Sequence, residues 1–479
     1  MFPVNPMFLI DFYKADHRSQ YPRGTREVYS NFTARKSRID GVDKVVFFGL
    51  QYVIKEYLIS QFNDNFFGRD VDEVCDEYKQ LMEESLGIVF DVQHVRDLHN
   101  LGYLPLEIKA LSEGSVVPLQ VPLMTIKNTI PEFYWLTNYF ETLISCEVWK
   151  PGNSATMAHE FRKVFDAYAK LTGGNADFVD FQGHDFSFRG MSGVADACVS
   201  GAAHLLSFKG TDTVPAIKFL KHYYNATGFV GGSVPATEHS VMCADDEFET
   251  VKRLLTVTYP TGILSVVADS YDFWRFVTEF LPSIKDIIMN RNGKLVIRPD
   301  SGTPHKIICG DKNAESEPER KGLVRCLDEI FGSNRNDAGY IEVDGHVGAI
   351  YGDSIDLKEQ KLILQGLVDQ HYCSSNVVLG IGSYTYQFAT RDTFGYVCKA
   401  TNIDINGESK AIFKSPKTGS WKKSHKGLMR VDEDFSVIQN ATKEQEAGGM
   451  LIPVYRNGKL LIDQDFDVIR STLSRYRNG

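Results

Sequence analysis

VVADSYDFWRFVTEFLPSIKDIIMNRNGKLVIRPDSG, residues 266–302, holds two short apolar runs that each end in charged or polar residues, with a segment of helix-like spacing between them. The first run ends at Asp269 and the second at Arg298 and Asp300. Short apolar runs bounded by turn-forming residues read as buried strands, and a helical stretch between two of them reads as one βαβ unit. The pattern recurs on both sides, in HDFSFRG at Asp185, FKGTDT at Asp212, ATEHS at His239, YGDS at Asp353 and LGIGS at Gly380. From Asp185 to Arg298 the ends follow one another at about 27 to 30 residues, close to the roughly 31 per unit of a (β/α)8 barrel. The longer step to Asp353 leaves room for a polar insertion, and CGDKNAESEPERKG (309–322) reads as a solvated loop. A single aspartate at a run end is most often a turn or cap residue. Seven such ends in one register argue instead for a barrel whose strand ends share a site.

Outside this region the pattern differs. EGSVVPLQVPLMTIKNT (113–129) alternates and PEFYWLTNYFETLISCEVW (131–149) has helical spacing, so the first third reads as α+β, and the barrel pattern begins near residue 178. The 479 residues, 43% hydrophobic and 24% charged, are enough for a sizeable core in two or more domains. A formal charge of -10 argues against broad nucleic-acid binding, although Lys422, Lys423, His425 and Lys426 form a local basic patch. Small anions are the expected ligands. The start, MFPVNPMFLIDFYKADH, has no basic n-region or long apolar core, and no uncharged span is long enough for a membrane helix, which leads to a cytoplasmic expectation. Eight cysteines without a CxxC pair read as reduced thiols, not as a disulfide framework or zinc site.

Motif absences narrow the chemistry. LGIGSYT lacks the third glycine of GxGxxG, and neither GxxxxGK[ST] nor HExxH occurs. Gly380, Gly382 and Ser383, following an apolar run, remain candidates for backbone contact with a phosphate. His239 in SVPATEHSVM reads on its own as a helix start, because ADDEFETVKRLL follows with early acidic residues and helical spacing.

The strings DFYKADH (11–17), HDFSFRG, SFKGTDT, SVPATEHS, VVADSYD, VIRPDSG, YGDSID and RDTFGYVCKAT together closely resemble the nicotinamide phosphoribosyltransferase family, over most of the chain from Asp11 to KKSHKG. The resemblance implies an irregular α/β barrel over 151–399, a second α+β domain built from residues 1–150 plus 400–479, and a head-to-tail homodimer with shared sites. It implies transfer of phosphoribosyl from 5-phosphoribosyl-1-pyrophosphate to nicotinamide, giving nicotinamide mononucleotide and pyrophosphate in NAD salvage. By resemblance, Tyr13 and Phe186 sandwich the pyridine ring, Asp212 accepts from the carboxamide NH2, and Ser265, Arg189 and Arg298 join the substrate site. Asp300 sits against the reacting centre, Asp353 with Gly352 takes the ribose hydroxyls, and Gly382 and Ser383 take the 5'-phosphate. Arg35, Arg391, Lys399, Lys414 and Lys422 are implied to hold phosphate or pyrophosphate. His239 is implied to be phosphorylated by ATP as co-substrate, with Glu238 or Asp269 as the carboxylate that fixes its tautomer. Magnesium is implied, carried mostly by phosphates and water, with no protein ligand assigned.

The residue types suit that chemistry. Displacing pyrophosphate from the ribose passes through an oxocarbenium-like state that needs nearby negative charge, clamps for anionic oxygens and a flat slot for the ring. The sequence departs from the family pattern at Phe12, Ser187, Ser383, Tyr384 and Val397, most of which bear on phosphate contacts. Two alternatives share part of this pattern. A nicotinate phosphoribosyltransferase typically has serine where Asp212 stands, and a carboxylate there would face the carboxylate of nicotinate. Two like charges about 4 Å apart repel by roughly 4 kcal/mol at an effective dielectric of about 20, about three orders of magnitude in preference. The other alternative, a non-catalytic barrel used for binding or signalling, would be favoured by loss of Arg298, Asp300 or His239, and all three are present.

Overall fold

The structure is a computed structural model that describes residues 4–414 and 424–477. It divides into two compact units. One comprises Met1–Thr156, Leu220–Ala226 and Thr390–Gly479, and the other Met157–Phe219 and Thr227–Ala389. The short segment Leu220–Ala226 thus belongs with the chain ends and not with the barrel span in which it lies in sequence.

The first unit is built on a seven-stranded antiparallel sheet in the order Glu408–Ala411, Tyr396–Ile405, Thr25–Ala34, Pro122–Asn128, Leu106–Ala110, Ile452–Arg456 and Lys459–Leu460. Three strands from the N-terminal part of the chain form its centre and two from the C-terminal part flank them on each side, which makes both ends parts of one fold. Thr25–Ala34 is central, pairing with Tyr396–Ile405 on one side and Pro122–Asn128 on the other, and from Val28 to Ala34 it is buried throughout. The alternating stretch 113–129 supplies the strands Val116–Pro118 and Pro122–Asn128, and the helical spacing after it supplies Leu136–Tyr139 and the start of Glu141–Thr172.

The second unit curls a six-stranded parallel sheet in the order Gly210–Thr211, Gly183–Asp185, Val377–Ile381, Val347–Tyr351, Asn292–Arg298 and Thr261–Val267. The extended segment before His239 joins the two edges. Gly232 bridges to Gly210, and Ala236 bridges to Ser265. Four backbone bonds hold it: Thr211 N to Gly232 O, Gly232 N to Lys209 O, Ser265 N to Pro235 O and Thr237 N to Ser265 O. Pro235 has no N–H to give, so this edge makes isolated bridges instead of a full ladder, and the barrel is irregular there.

Register decides which side chains share a face. His184 pairs with both Gly210 and Gly380, Val296 pairs with both Ser265 and Gly348, and Ile350 pairs with Val378. Because side chains alternate along a strand, His184, Ser265, Arg298, Gly352 and Gly380 belong to one face. The other face carries Leu264, Leu295, Ile297, Ala349, Val377 and Leu379, all at most 2% exposed.

The expected loop at 309–322 is not wholly a loop. It contains the helix Glu317–Lys321, started by Pro318 and a capping box between Ser316 and Glu319, and the insertion continues through Leu323–Phe331 and the hairpin Ser333–Arg335 with Ile341–Val343. The capping pair was present in the sequence, but the polar composition masked it. All eight cysteines are free. Among the described residues no helix is long and apolar enough to cross a membrane.

Candidate active site

The site grows from the C-terminal ends of the parallel strands. Phe186 follows Gly183–Asp185, and its backbone N–H donates to Ile381 O at 3.1 Å. Its ring lies where two neighbouring strands carry no side chain. A Cβ on Gly380 would stand 2.3 Å from Phe186 Cδ2, and one on Gly352 would stand 3.1 Å from the same atom. The missing side chain of Gly380, read from sequence as a route for phosphate, is therefore needed by the aromatic ring.

Asp185 is fully buried and faces away from this ring. Its Oδ1 accepts from Ser187 N at 2.9 Å and Ser187 Oγ at 2.7 Å, and its Oδ2 accepts from Thr211 Oγ1 at 3.2 Å. The serine that departs from the family pattern thus supplies an extra bond that holds the Phe186 turn. Past the turn, Arg189 is exposed on the short 3-10 helix Phe188–Gly190. Ser383 opens the helix Ser383–Tyr386 behind Gly382, and its hydroxyl packs against Gly190, where a Cβ would collide with it. In that helix the N–H groups of Thr385 and Tyr386 donate to Gly382 O at 3.1 and 3.2 Å, which leaves those of Ser383 and Tyr384 without an intrahelical acceptor. A fully buried histidine braces both neighbours: His204 Nδ1 meets Tyr386 Oη at 2.6 Å and Nε2 meets Gly210 O at 3.0 Å. Burial pushes its pKa down to about 4, which keeps it neutral.

Asp212 stands at the next strand end, its carboxylate half-exposed. His184 Nε2 lies 2.9 Å from Asp212 Oδ1. Burial pulls the Asp212 carboxyl upward, but hydrogen bonds from His184 and Ser233 and the charge of Arg298 outweigh it and hold the group below the usual carboxylate range. Sequence reading passed over His184 and Ser233. Strand register was the missing signal, since it sets His184, not Asp185, on the face shared with Phe186 and Asp212.

Opposite in sequence order, Arg298 donates from an Nη to Thr237 O at 3.0 Å, and its Nε lies 3.3 Å from Asp300 Oδ1. That ion pair lacks hydrogen-bond geometry, so Arg298 Nε is a buried donor without a hydrogen-bond partner, as is Ser265 Oγ on the adjoining strand. Buried polar atoms are costly to leave unpaired, and at a strand end two of them mark a place for a ligand. Asp269, 5% exposed, accepts through Oδ2 from Asp300 N at 3.0 Å and Ser301 Oγ at 2.6 Å, and its Oδ1 is likewise without a hydrogen bond. The carboxyl of Asp300 is raised above its usual range by burial and by Asp269, against the opposing pull of Arg298 and His239. Asp353 is exposed beyond Gly352 and accepts from Ser354 Oγ at 3.0 Å, with Ser354 in a left-handed conformation at φ 54°.

His239 is a helix start whose imidazole also faces Ser270 and Asp269. It is the first residue of His239–Met242, with Glu238 as N-cap, and its side chain is 51% exposed. Its Nδ1 lies 3.0 Å from Ser270 Oγ, and its Nε2 lies 3.8 Å from Asp269 Oδ1. Glu238 does not hold the imidazole; its carboxylate accepts from the Ser240 hydroxyl. A serine therefore takes the position expected of a carboxylate, and Asp269 is the acidic neighbour.

The other expected residues lie in the first unit. Tyr13 is 60% exposed, with its ring against His17 and under the Lys14 ammonium, and Phe12 beside it is also exposed. Arg35 Nε donates to Gly395 O at 3.3 Å, and its pKa is lowered by burial and by the like charge of Arg391. Two guanidinium groups that repel one another suit a shared anion. Lys399 is paired instead with Glu141 at 3.0 Å, a carboxylate that Lys14 also contacts. Lys414 is fixed through its backbone to Ser424 and Val397 is half-buried in the sheet, while Tyr384, in the second unit, is exposed against Phe388. Lys422 lies outside the described residues.

Comparison with known proteins identifies the family. The Nicotinate phosphoribosyltransferase (NAPRTase) family pattern matches residues 181–458, and the N-terminal domain pattern of Nicotinamide phosphoribosyltransferase matches residues 5–108. The chain belongs to the nicotinate phosphoribosyltransferase family and, within it, to the nicotinamide phosphoribosyltransferases. It is 50% identical to a nicotinamide phosphoribosyltransferase of Acinetobacter baylyi, with 99% of this chain and 98% of that one covered. It is 36% identical to one of Mycoplasma pneumoniae, over 86% and 93% of the two chains. A nicotinate-nucleotide pyrophosphorylase of Pyrococcus furiosus has the same fold, with a TM-score of 0.61 at 13% identity over 100% and 98% of the chains.

Proposed function

We propose that this enzyme transfers 5-phosphoribosyl from 5-phosphoribosyl-1-pyrophosphate to nicotinamide, releasing pyrophosphate and serving NAD salvage. The observation that carries the reading is the polar set at the strand ends. Asp212 offers an anionic acceptor, while Ser265 Oγ and Arg298 Nε are donors without hydrogen-bond partners. A carboxamide, with NH2 donors and a carbonyl acceptor, satisfies both kinds, whereas a carboxylate would satisfy the donors and be repelled by Asp212. Phe186 gives the ring one wall, and Tyr13 of the partner subunit would give the other in a head-to-tail homodimer. Asp300 would lie against the ribose as positive charge grows on its C1, Asp353 would take the ribose hydroxyls, and Gly382 and Ser383 would take the 5'-phosphate. Arg35 and Arg391 would hold pyrophosphate oxygens.

In this reading ATP phosphorylates His239. The exposed imidazole, bonded to Ser270 through Nδ1, would present Nε2 as the nucleophile, with Asp269 beside it to stabilise positive charge. Among the described residues no three His, Cys, Asp or Glu side chains form a metal-holding group. Magnesium would arrive on the phosphates and neutralise their oxygens, with Asp300 and Asp353 as available carboxylates. The test incubates purified protein with nicotinamide, 5-phosphoribosyl-1-pyrophosphate and magnesium, with and without ATP, and follows the products by chromatography. Nicotinamide mononucleotide and equimolar pyrophosphate are expected, and more of both with ATP. Absence of the mononucleotide under both conditions would refute the reading.

A further inference from the structure

We infer that His184 is the hidden half of the choice between amide and acid: Asp212 occupies an N–H that would otherwise bind a carboxylate substrate. The inference rests on the function proposed above and concerns a residue to which that reading gives no role.

A carboxylate only accepts hydrogen bonds, so the proton in the 2.9 Å contact between His184 Nε2 and Asp212 Oδ1 sits on the histidine. The imidazole is held in place. It is 12% exposed, its ring centre is 4.8 Å from that of Phe186, and Gly210 leaves it room, since a Cβ there would stand 2.7 Å from His184 Nδ1. Ser233 Oγ lies 3.5 Å from the same Nε2. If Asp212 is removed, nothing else described in the structure takes up this N–H as closely, and it points into the space that the aspartate filled. There it would join Ser265 Oγ and Arg298 Nε as a third donor, a set suited to a carboxylate.

Two consequences follow for different substrates. With Asp212 present, His184 orients the acceptor toward the amide, so its loss weakens nicotinamide use without admitting nicotinate. With Asp212 absent, His184 becomes a positive determinant of nicotinate binding. The substrate affected by losing His184 therefore changes with Asp212, nicotinamide when it is present and nicotinate when it is absent, whereas loss of a merely structural histidine would lower use of both substrates alike.

The experiment compares wild type, Asp212→Ser, His184→Ala and the double variant, measuring kcat/KM for nicotinamide and nicotinate and a thermal melt for each. His184→Ala should lower nicotinamide kcat/KM about tenfold, the scale of one charge-assisted hydrogen bond, and leave nicotinate use no better. Asp212→Ser should gain nicotinate use, and adding His184→Ala should take back about tenfold of that gain. Nicotinate use as high in the folded double variant as in Asp212→Ser would overturn the inference. If the alanine variants melt early, Asp212→Ser with His184→Gln gives the answer, because glutamine returns an N–H near the Nε2 position. Retention of the nicotinate gain supports the inference, and its loss in a folded protein contradicts it. Failure of wild type to make nicotinamide mononucleotide would count against the proposed function instead, so the two failures are distinct.

Discussion

Gly380→Ala adds one methyl group to the wall behind Phe186. The new Cβ would lie 2.3 Å from Phe186 Cδ2, 2.7 Å from Gly352 Cα and 2.8 Å from Phe186 Cε2. Ordinary carbon contacts begin near 3.5 Å, so the ring or the strand must retreat by about 1 Å. Gly380 has no positive φ, so its backbone suits alanine and the effect is steric. If the wall holds, overpacking costs about 1–3 kcal/mol of stability. If the ring yields, stacking on the pyridine weakens by about 0.5–1.5 kcal/mol, which is roughly two- to twelvefold in KM for nicotinamide. Gly352→Ala, whose Cβ would stand 3.1 Å from the same ring, should do the same more mildly. Gly382→Ala meets no atom within 4 Å, and should spare nicotinamide while raising KM for the phosphoribosyl donor. Steady-state kinetics with each substrate varied, alongside urea denaturation, separates these outcomes. Gly380→Ala with unchanged stability and unchanged nicotinamide KM would refute the packing argument, as would Gly382→Ala harming nicotinamide use equally.

His239→Ala should retain weak transfer but lose ATP hydrolysis and ATP stimulation, measured as phosphate release per mononucleotide formed; undiminished coupling would remove the phosphohistidine from the account. Asp269→Asn should shift the acid limb of the pH–rate profile to lower pH. Asp269 helps hold the Asp300 carboxyl above its usual range, so neutralising it lets Asp300 stay ionised, and active, in more acidic solution. An unmoved or raised limb would mean that Asp300 does not set it. Tyr13→Ala and Asp300→Asn should each be nearly inactive as homodimers, yet co-assembled heterodimers should regain about half the activity per dimer, because one of the two sites escapes both defects. Heterodimers that are folded and inactive would rule out a shared site.

The barrel was legible because the C-terminal ends of buried strands carry polar residues at a regular interval, as at Asp212, Asp269, Arg298 and Asp353. What sequence spacing does not show is which of two adjacent residues turns inward. Asp185 read as a strand-end polar residue, but parity along Gly183–Asp185 sends it into a buried network with Ser187 and Thr211 and turns His184 toward Asp212. A one-residue shift likewise separates Glu238, which meets Ser240, from His239, which meets Ser270. Gly380 read as a phosphate residue because a glycine after a strand permits backbone approach, whereas its vacancy accommodates a ring that comes from a distant part of the chain. Lys399 showed a charge in sequence but not its partner, Glu141, more than two hundred residues away. These are long-range facts of register and packing, which local patterns do not encode.

The central claim is that the strand ends select an amide for phosphoribosyl transfer. It is tested most directly by giving the purified enzyme equimolar nicotinamide and nicotinate with limiting 5-phosphoribosyl-1-pyrophosphate, magnesium and ATP, and resolving the two mononucleotides by mass. Repulsion of roughly 4 kcal/mol at Asp212 predicts nicotinamide mononucleotide in excess by about three orders of magnitude. Nicotinate mononucleotide in equal or greater amount would contradict the account.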